Sequence, residues 1–322
     1  MYHVTALGEV LIDFTSVNNL EQKNLCFEQN PGGAPANLVA CISKLGGKTA
    51  FIGKVGKDMF GSFLSEVLSE HGIDITGLKF SEEYNTTLAF VKCDKKGERS
   101  FSFYRNPGAD TMLSPSEIDF KLLDASKVFH FGSLSMTHEP SKSATLKALE
   151  YARAKKLMVS YDPNLRMALW KSSDHALKEI TSVLPLVDIL KVSEEELEFI
   201  TGMSDNEKGS NLLYEQYKIA LILVTRGDKG CYYRLGDHTD SRPAYSKLNV
   251  IDTTGAGDAF LGGFLYNIIS QGISKVEEID KELLERAVIF ANAVAGICTT
   301  RRGGIPAMPT LQEVNELIEG TK

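Results

Sequence analysis

The sequence predicts an α/β fold with a mostly parallel sheet covered by helices on both sides. Apolar runs of strand length alternate with helical patterns along most of the 322 residues. Those runs are apolar throughout rather than at every second position, as expected of strands buried on both faces. Candidate strands are 3–9, 49–53, 127–131, 157–161, 187–190 and 219–225. Candidate helices are 34–46, 58–71, 140–156, 173–184, 193–201, 208–217, 257–271 and 281–299. No internal repeat or Pro/Ser-rich linker divides the chain, so 1–322 is expected to form a single domain. In such sheets ligands bind at the carboxyl ends of the strands.

Two segments leave this pattern. Residues 86–105 (TTLAFVKCDKKGERSFSFYR) read as a hairpin around Asp94-Lys95-Lys96-Gly97, and residues 12–30 as a second extended excursion turning at Asn18-Asn19. Both carry apolar residues with few local partners, namely Phe14, Leu88, Phe90, Phe101 and Phe103. They are expected to pair as a small sheet over the site, serving as a lid or as a homodimer contact.

Composition narrows the function. The chain is 43% hydrophobic and 24% charged, as a globular enzyme is, and its net charge of −7 speaks against a nucleic-acid or anionic-membrane partner. The five cysteines (Cys26, Cys41, Cys93, Cys231, Cys298) form no C-x-x-C pair, and the six histidines are equally scattered. No apolar run reaches about 18 residues, and Met1 to Phe14 reads as a strand rather than an export signal. A cytoplasmic location is expected.

The most informative stretch is Asp252-Thr253-Thr254-Gly255-Ala256-Gly257-Asp258-Ala259-Phe260. The extended-looking run Ala244 to Ile251 precedes it, and Phe260, Leu261, Phe264, Leu265, Ile268 and Ile269 follow at helical spacing. Glycines at a helix start let a ligand approach the free N–H groups and the positive end of the helix dipole, which favour an anion. Asp258 beside that anion is placed to take a proton from a hydroxyl attacking a phosphate. The same residues also suit an ordinary capped helix. A dinucleotide fingerprint is disfavoured, because Phe260 stands at its last glycine position and only a short tail follows.

Other segments carry polar groups at the ends of strands. Pro31-Gly32-Gly33-Ala34-Pro35-Ala36-Asn37 opens the first long helix, and Asn37 offers donors and an acceptor to sugar hydroxyls or simply to solvent. Asp13 is read as ending the first strand, after Gly8 to Ile12, where a carboxylate suits two hydroxyls of a polyol, or a turn. Asp162-Pro163-Asn164-Leu165-Arg166 places Arg166 where it can neutralise a phosphoryl group. Lys191-Val192-Ser193-Glu194-Glu195-Glu196 contains a capping box, Ser193 with Glu196, and Glu196 also suits water around magnesium. Val224-Thr225-Arg226-Gly227-Asp228-Lys229-Gly230 joins two strand-like runs and can turn around a nucleotide. No G-x-x-x-x-G-K-[ST] occurs, so no Walker-type loop cradles the phosphates.

Taken together, PGGAPAN at 31–37 and DTTGAGDAF at 252–260 resemble the two sequence patterns of the ribokinase-like (PfkB) carbohydrate kinases. Within that family, ALGEVLIDF, FIGKVG, FYRNPGAD, SYDPNLR and KVSEEE are most similar to the fructokinase group. The resemblance implies a three-layer α/β/α fold with a small β-sheet lid, and ATP-dependent transfer to a hydroxyl of D-fructose. Kinases of 2-keto-3-deoxygluconate or of an aminoimidazole riboside, or a non-catalytic sugar-binding member, are the alternatives. It makes Asp258 the catalytic base, Gly255, Ala256 and Gly257 the anion hole, and Arg166 the phosphate-facing arginine. Asp13, Gly32, Gly33, Asn37 and Arg105 match sugar-binding positions, and Lys191, Glu196, Thr225, Gly227, Gly230 and Asn292 nucleotide positions. Asp252, Thr254, Cys298, Arg301 and Gly303 match a monovalent-cation site, expected to hold K⁺, several of them through backbone carbonyls. Glu196 matches the magnesium motif, acting through water, but Ser193 stands where the family has asparagine.

Overall fold

The computed structural model describes residues 1–17, 26–93 and 99–320. The turns expected at Asn18-Asn19 and Asp94 to Gly97 lie outside them, as does the side chain of Phe101. The chain opens with β1 (Tyr2–Leu7), β2 (Leu11–Val17) and β3 (Cys26–Gly32), followed by α1 (Ala34–Lys44) and β4 (Thr49–Gly56). Next come α2 (Met59–Glu70), β5 (Asp74–Ser81), β6 (Leu88–Cys93), β7 (Arg99–Tyr104) and the single-turn α3 (Phe120–Asp124). A run of alternating elements follows: β8 (Ser126–Gly132), α4 (Ser141–Ala154), β9 (Met158–Asp162), α5 (Ser173–Ser182) and β10 (Ile189–Ser193). Then stand α6 (Glu194–Thr201), α7 (Asn206–Tyr217), β11 (Leu221–Thr225), β12 (Cys231–Leu235) and β13 (His238–Arg242). Three helices close the chain: α8 (Ala256–Ser270), α9 (Lys281–Thr299) and α10 (Leu311–Gly320).

Nine strands form one sheet in the order β13-β12-β11-β10-β9-β8-β1-β4-β5. The seven from β11 to β5 run parallel, and β12 and β13 add an antiparallel edge. All-apolar strands such as Leu221-Ile222-Leu223-Val224 are buried on both faces, which is the pattern read from the sequence. One face packs on α1, α2, α8 and α9 through residues such as Leu38, Leu64, Phe264 and Val288. The other packs on α3 to α7 through Leu123, Leu149, Ile180, Leu197 and Leu213. These make the three layers. From β1 the chain builds outward to β4 and β5, then returns to build β8 to β11 on the other side. The strand order therefore reverses beside β1, and the crevice at the carboxyl ends there is the expected ligand position.

The two excursions form one four-stranded sheet in the order β3-β2-β6-β7. Its middle pair, β2 and β6, is parallel and joins distant segments, with Asp13 opposite Ala89 and Phe14 opposite Phe90. Two carboxylates, Asp58 half-buried and Asp110 buried, stand at the roots of this sheet. Asp58 caps α2 through the amides of Phe60 (3.1 Å) and Gly61 (2.8 Å). It also accepts the Thr86 amide and hydroxyl, both at 2.8 Å, just before β6. Asp110 receives the Thr87 hydroxyl and pairs with Arg105 at 2.6 Å, just after β7.

Some sequence expectations change. The edge strands β5 and β13 and the helices α3 and α10 were not among the expected elements; Asp74, Gly77 and Lys79 interrupt the apolar pattern of β5. The run Ala244 to Ile251 is not a strand: β13 ends at Arg242, Pro243 follows, and a loop leads to α8. Val250 and Ile251 are exposed there, and the loop is held by α9, whose Thr299 carbonyl accepts the amides of Ile251 (2.8 Å) and Asp252 (3.1 Å). Among the described residues no helix is long and apolar enough to cross a membrane.

Burial alone would raise the pKa of Asp58, but the donors from Thr86, Gly61 and Phe60 outweigh it and hold the carboxyl below its ordinary value. Asp58→Ala is expected to lower unfolding stability by about 1–3 kcal/mol, read from the urea midpoint. Because the folded pKa is depressed, the difference from wild type should shrink as pH falls below about 4. An unchanged midpoint at pH 7 would contradict the fastening role.

Candidate active site

A cavity of about 540 Å³ opens where the carboxyl ends of the sheet meet the small sheet. Each element delivers its share by position along the chain. The turn after β1 supplies Glu9, and β2 supplies Leu11, Asp13 and Thr15 from one face. The loop after β9 supplies Asn164, Leu165 and Arg166, β10 with α6 supplies Lys191, Ser193, Glu195 and Glu196, and β11 supplies Thr225.

Two helices begin at this cavity on a glycine and without a capping side chain. Gly33 precedes α1 with φ of 111°, and a Cβ there would lie 2.5 Å from the Glu9 carbonyl. Gly255 precedes α8 in the left-handed region with φ of 74°. The Ala256 amide turns back to the Thr253 carbonyl at 3.2 Å, which leaves the next amides of the first turn, those of Gly257 and Asp258, to face an anion. The two starts are joined by one hydrogen bond, in which Asn37 Nδ2 of α1 donates to Asp258 Oδ2 of α8 at 2.8 Å.

Lys191 stands against the α8 start. A Cβ on Gly257 would sit 2.8 Å from Lys191 Nζ, so the glycine leaves the room that the ammonium occupies. Lys191 donates to Asp162 Oδ2 at 2.8 Å, and both residues are buried. Behind it, Glu196 accepts the amides of Leu165 (2.7 Å) and Ser193 (2.8 Å), and Ser193 Oγ accepts the Glu196 amide at 3.1 Å. The expected capping box is therefore present, and it aims Glu196 at the cavity.

Carboxylates dominate the electrostatics. Glu9, Asp13, Glu195, Glu196, Asp252 and Asp258 line the cavity, against the cations Lys191 and Arg166. Burial, with help from the charge of Asp162, pushes Asp258 up to about 7, against Asn37, Lys191 and Arg166. Burial likewise raises Asp13 to about 6, opposed by Arg166, and Glu9 to about 7. Burial works against the charge on Lys191, but Asp162, Glu196 and Asp258 outweigh it and keep the ammonium protonated.

Most of the residues singled out in the sequence converge here. Asp13, Gly33, Asn37, Arg166, Lys191, Glu196, Thr225, Asp252, Thr254, Gly255, Gly257, Asp258 and Gly303 all line the cavity. Ala256 is the first residue of α8, and Gly32 sits behind Asp13, where a Cβ would meet Asp13 Oδ2 at 2.3 Å. Several others are placed elsewhere. Arg105 is buried behind the wall, its donors used by Asp110, by Thr137 (3.0 Å) and by the Leu134 carbonyl (2.9 Å). Asn292 spends its amide on the carbonyls of Arg242 (3.2 Å) and Pro243 (3.0 Å), holding the loop before α8. Gly227 is exposed beyond β11, and Gly230 closes that turn. Arg301 pairs with Glu313, and Cys298 is buried with its thiol 3.8 Å from the Thr254 carbonyl. Sequence reasoning gave no role to Glu9, although a lone carboxylate between apolar strands was a visible signal.

Among the described residues no group of three His, Cys, Asp or Glu side chains is arranged to hold a metal. Glu196 fits magnesium through water, since each of its oxygens holds one amide and keeps a lone pair. Asp252 ties the loops of a second candidate position, accepting the Thr254 amide (2.9 Å) and hydroxyl (2.8 Å) and the Gly303 amide (3.0 Å). Its surroundings offer hard oxygen donors, which suit an alkali cation.

Residues 1–311 match the pfkB family carbohydrate kinase profile. Fructokinase-1 of Oryza sativa subsp. japonica is 44% identical over 318 residues, covering 98% of this chain and 97% of the relative. The crystal structure of a fructokinase from Xylella fastidiosa with bound ATP superposes with a TM-score of 0.91 at 32% identity, covering 100% and 99% of the two chains. A double mutant of the fructokinase from Vibrio cholerae O395, in fructose, ADP and potassium ion bound form, gives 0.87 at 31% identity, covering 97% of each. With its open α8 start, its Asp258 and its full-length match, the chain belongs to the pfkB family of carbohydrate kinases.

Proposed function

We propose that the protein is an ATP-dependent fructokinase, forming fructose 6-phosphate and ADP. The observation that carries this reading is Asp258, held by Asn37 at the uncapped start of α8 with the Lys191 ammonium beside it. The full-length relative named fructokinase and the solved fructokinase with fructose and ADP support the choice of sugar. So does the charge of the cavity. Glu9, Asp13 and Asn37 suit a neutral polyol, and Arg105 is committed to Asp110 behind the wall. An acidic sugar such as 2-keto-3-deoxygluconate would face carboxylates.

Fructose is held by Asp13, Gly33, Asn37 and their neighbours, and ATP lies along Lys191, Thr225 and the turn at Gly227. Asn37 occupies one oxygen of Asp258, leaving Oδ1 for the terminal hydroxyl of the sugar. As that oxygen bonds to the γ-phosphorus, its proton passes to Asp258 and the bond to ADP breaks. A base with pKa near 7 is matched to this task at neutral pH. The amides of 255–257, Lys191 and Arg166 take up charge on the transferring oxygens. The small sheet acts as a lid, excluding water as a competing acceptor. Magnesium at Glu196 would neutralise the ATP phosphates, and K⁺ beside Asp252 would shape the loop before α8. A cytoplasmic location fits the free thiols of Cys26, Cys41, Cys231 and Cys298. A homodimer through the lid is supported by the aromatic cluster of Phe14, Phe27, Phe90 and Tyr104, of which Tyr104 is exposed.

Coupled ADP release should be fastest with fructose among fructose, ribose, ketodeoxygluconate and aminoimidazole riboside, and faster in K⁺ than in Li⁺. Preference for another sugar would overturn the assignment, and equal rates in both salts the cation. Asp258→Asn should lose about 10²–10⁴-fold in kcat while fructose still binds. Because burial raises the folded pKa above about 3.9, the wild type loses stability between about pH 4 and 7, so this variant should melt higher at pH 8. Near-normal turnover would refute the base. Gly257→Ala meets only the flexible end of Lys191 and should fold normally, yet lose about 10–100-fold in kcat as the ammonium is displaced. Unchanged kcat in Gly257→Ala would remove Lys191 from the transition state.

A further inference from the structure

Glu9 is 3% exposed and lines the cavity beside Asp13, Gly33 and Asn37. Its two carboxyl oxygens are used unequally. Oε1 accepts the Ala34 amide at 3.0 Å, satisfying one of the open donors at the start of α1. Oε2 is buried and has no hydrogen-bond partner in the protein. A buried carboxylate oxygen left unpaired is costly, so such an atom in a ligand cavity marks where a donor arrives with the ligand. The nearby Arg105 does not reach it, because its donors are spent on Asp110, Thr137 and the Leu134 carbonyl.

We infer that Glu9 is a specificity-determining residue, whose Oε2 accepts a hydrogen bond from a hydroxyl of a neutral sugar and whose charge excludes acidic sugars. This rests on the sugar-kinase reading above and adds the residue that selects the sugar. The fold makes the placement firm: Glu9 follows β1, next to the strand-order reversal, and its other oxygen is anchored to α1. A neutral hydroxyl satisfies Oε2, whereas a carboxylate on the ligand brings a second negative charge into a cavity that already holds Asp13. Asn37 shares the task at the same helix start, since its Oδ1 is also buried without a protein partner.

Glu9→Gln tests this, because the amide oxygen still accepts from Ala34 while its NH₂ replaces the acceptor that faces the hydroxyl. The expected result is a KM for fructose raised about 10–100-fold, with kcat changed less than about threefold and the melting temperature close to wild type. The ratio of kcat/KM for fructose over 2-keto-3-deoxygluconate should fall by a similar factor. Glu9→Ala removes the acceptor without adding a donor, so it should show the same rise in KM and serves if the glutamine variant does not fold. An unchanged KM with a lowered melting temperature would reduce Glu9 to a cap of α1 and overturn the inference. So would a loss confined to kcat. Failure of the fructokinase reading shows in the wild type alone, as turnover of some other sugar in preference to fructose. The Glu9 variants are then measured with that sugar, and an unchanged KM still overturns the inference.

Discussion

The hydrogen bond from Asn37 to Asp258 is the contact on which the rest of the site depends. It joins two helix starts that lie 221 residues apart in the chain. One start follows Gly33, whose missing Cβ permits close approach, and the other follows Gly255 in the left-handed region; in the proposed reaction the first faces the sugar and the second the phosphate. Holding both groups in one geometry converts an encounter of two substrates into a positioned reaction. The three-layer fold makes this possible because α1 and α8 pack side by side on the same face of the sheet.

The second constraint is charge. Few cations stand among many carboxylates, so each group is tuned by its neighbours. Lys191 stays protonated because Asp162, Glu196 and Asp258 surround it, and Asp258 is raised by burial and by Asp162. The same crowding that lifts Asp258 into the range of a useful base makes it a burden on stability above neutral pH. Asp58 and Arg105 do the opposite work at the roots of the small sheet, where their hydrogen bonds only hold structure.

The layers were legible in the sequence because strands buried on both faces are apolar throughout and helices repeat every three to four residues. The converging motifs were legible because glycine before a helix, as at Gly33 and Gly255, reports a backbone need rather than a side-chain contact. Arg105 and Asn292 do not line the cavity, for a physical reason. Their motifs fix sequence neighbours, but the partners that consume their donors, Asp110 with Thr137 and the carbonyls at 242 and 243, come from the tertiary fold. The stretch before α8 was misread as a strand because Val250 and Ile251 look like core residues and are exposed. Glu9 escaped notice because its orphaned oxygen is visible only once the neighbours are counted.

The central claim, that Asp258 must be unprotonated to act and titrates near neutrality, is open to one direct measurement. The pH dependence of kcat/KM for fructose between about pH 5 and 9 reports the free enzyme. With burial holding Asp258 at about 7, the parameter should be nearly level above pH 8 and fall with a slope that approaches tenfold per unit below about pH 6. A profile that stays flat down to pH 5 would contradict the role given to Asp258.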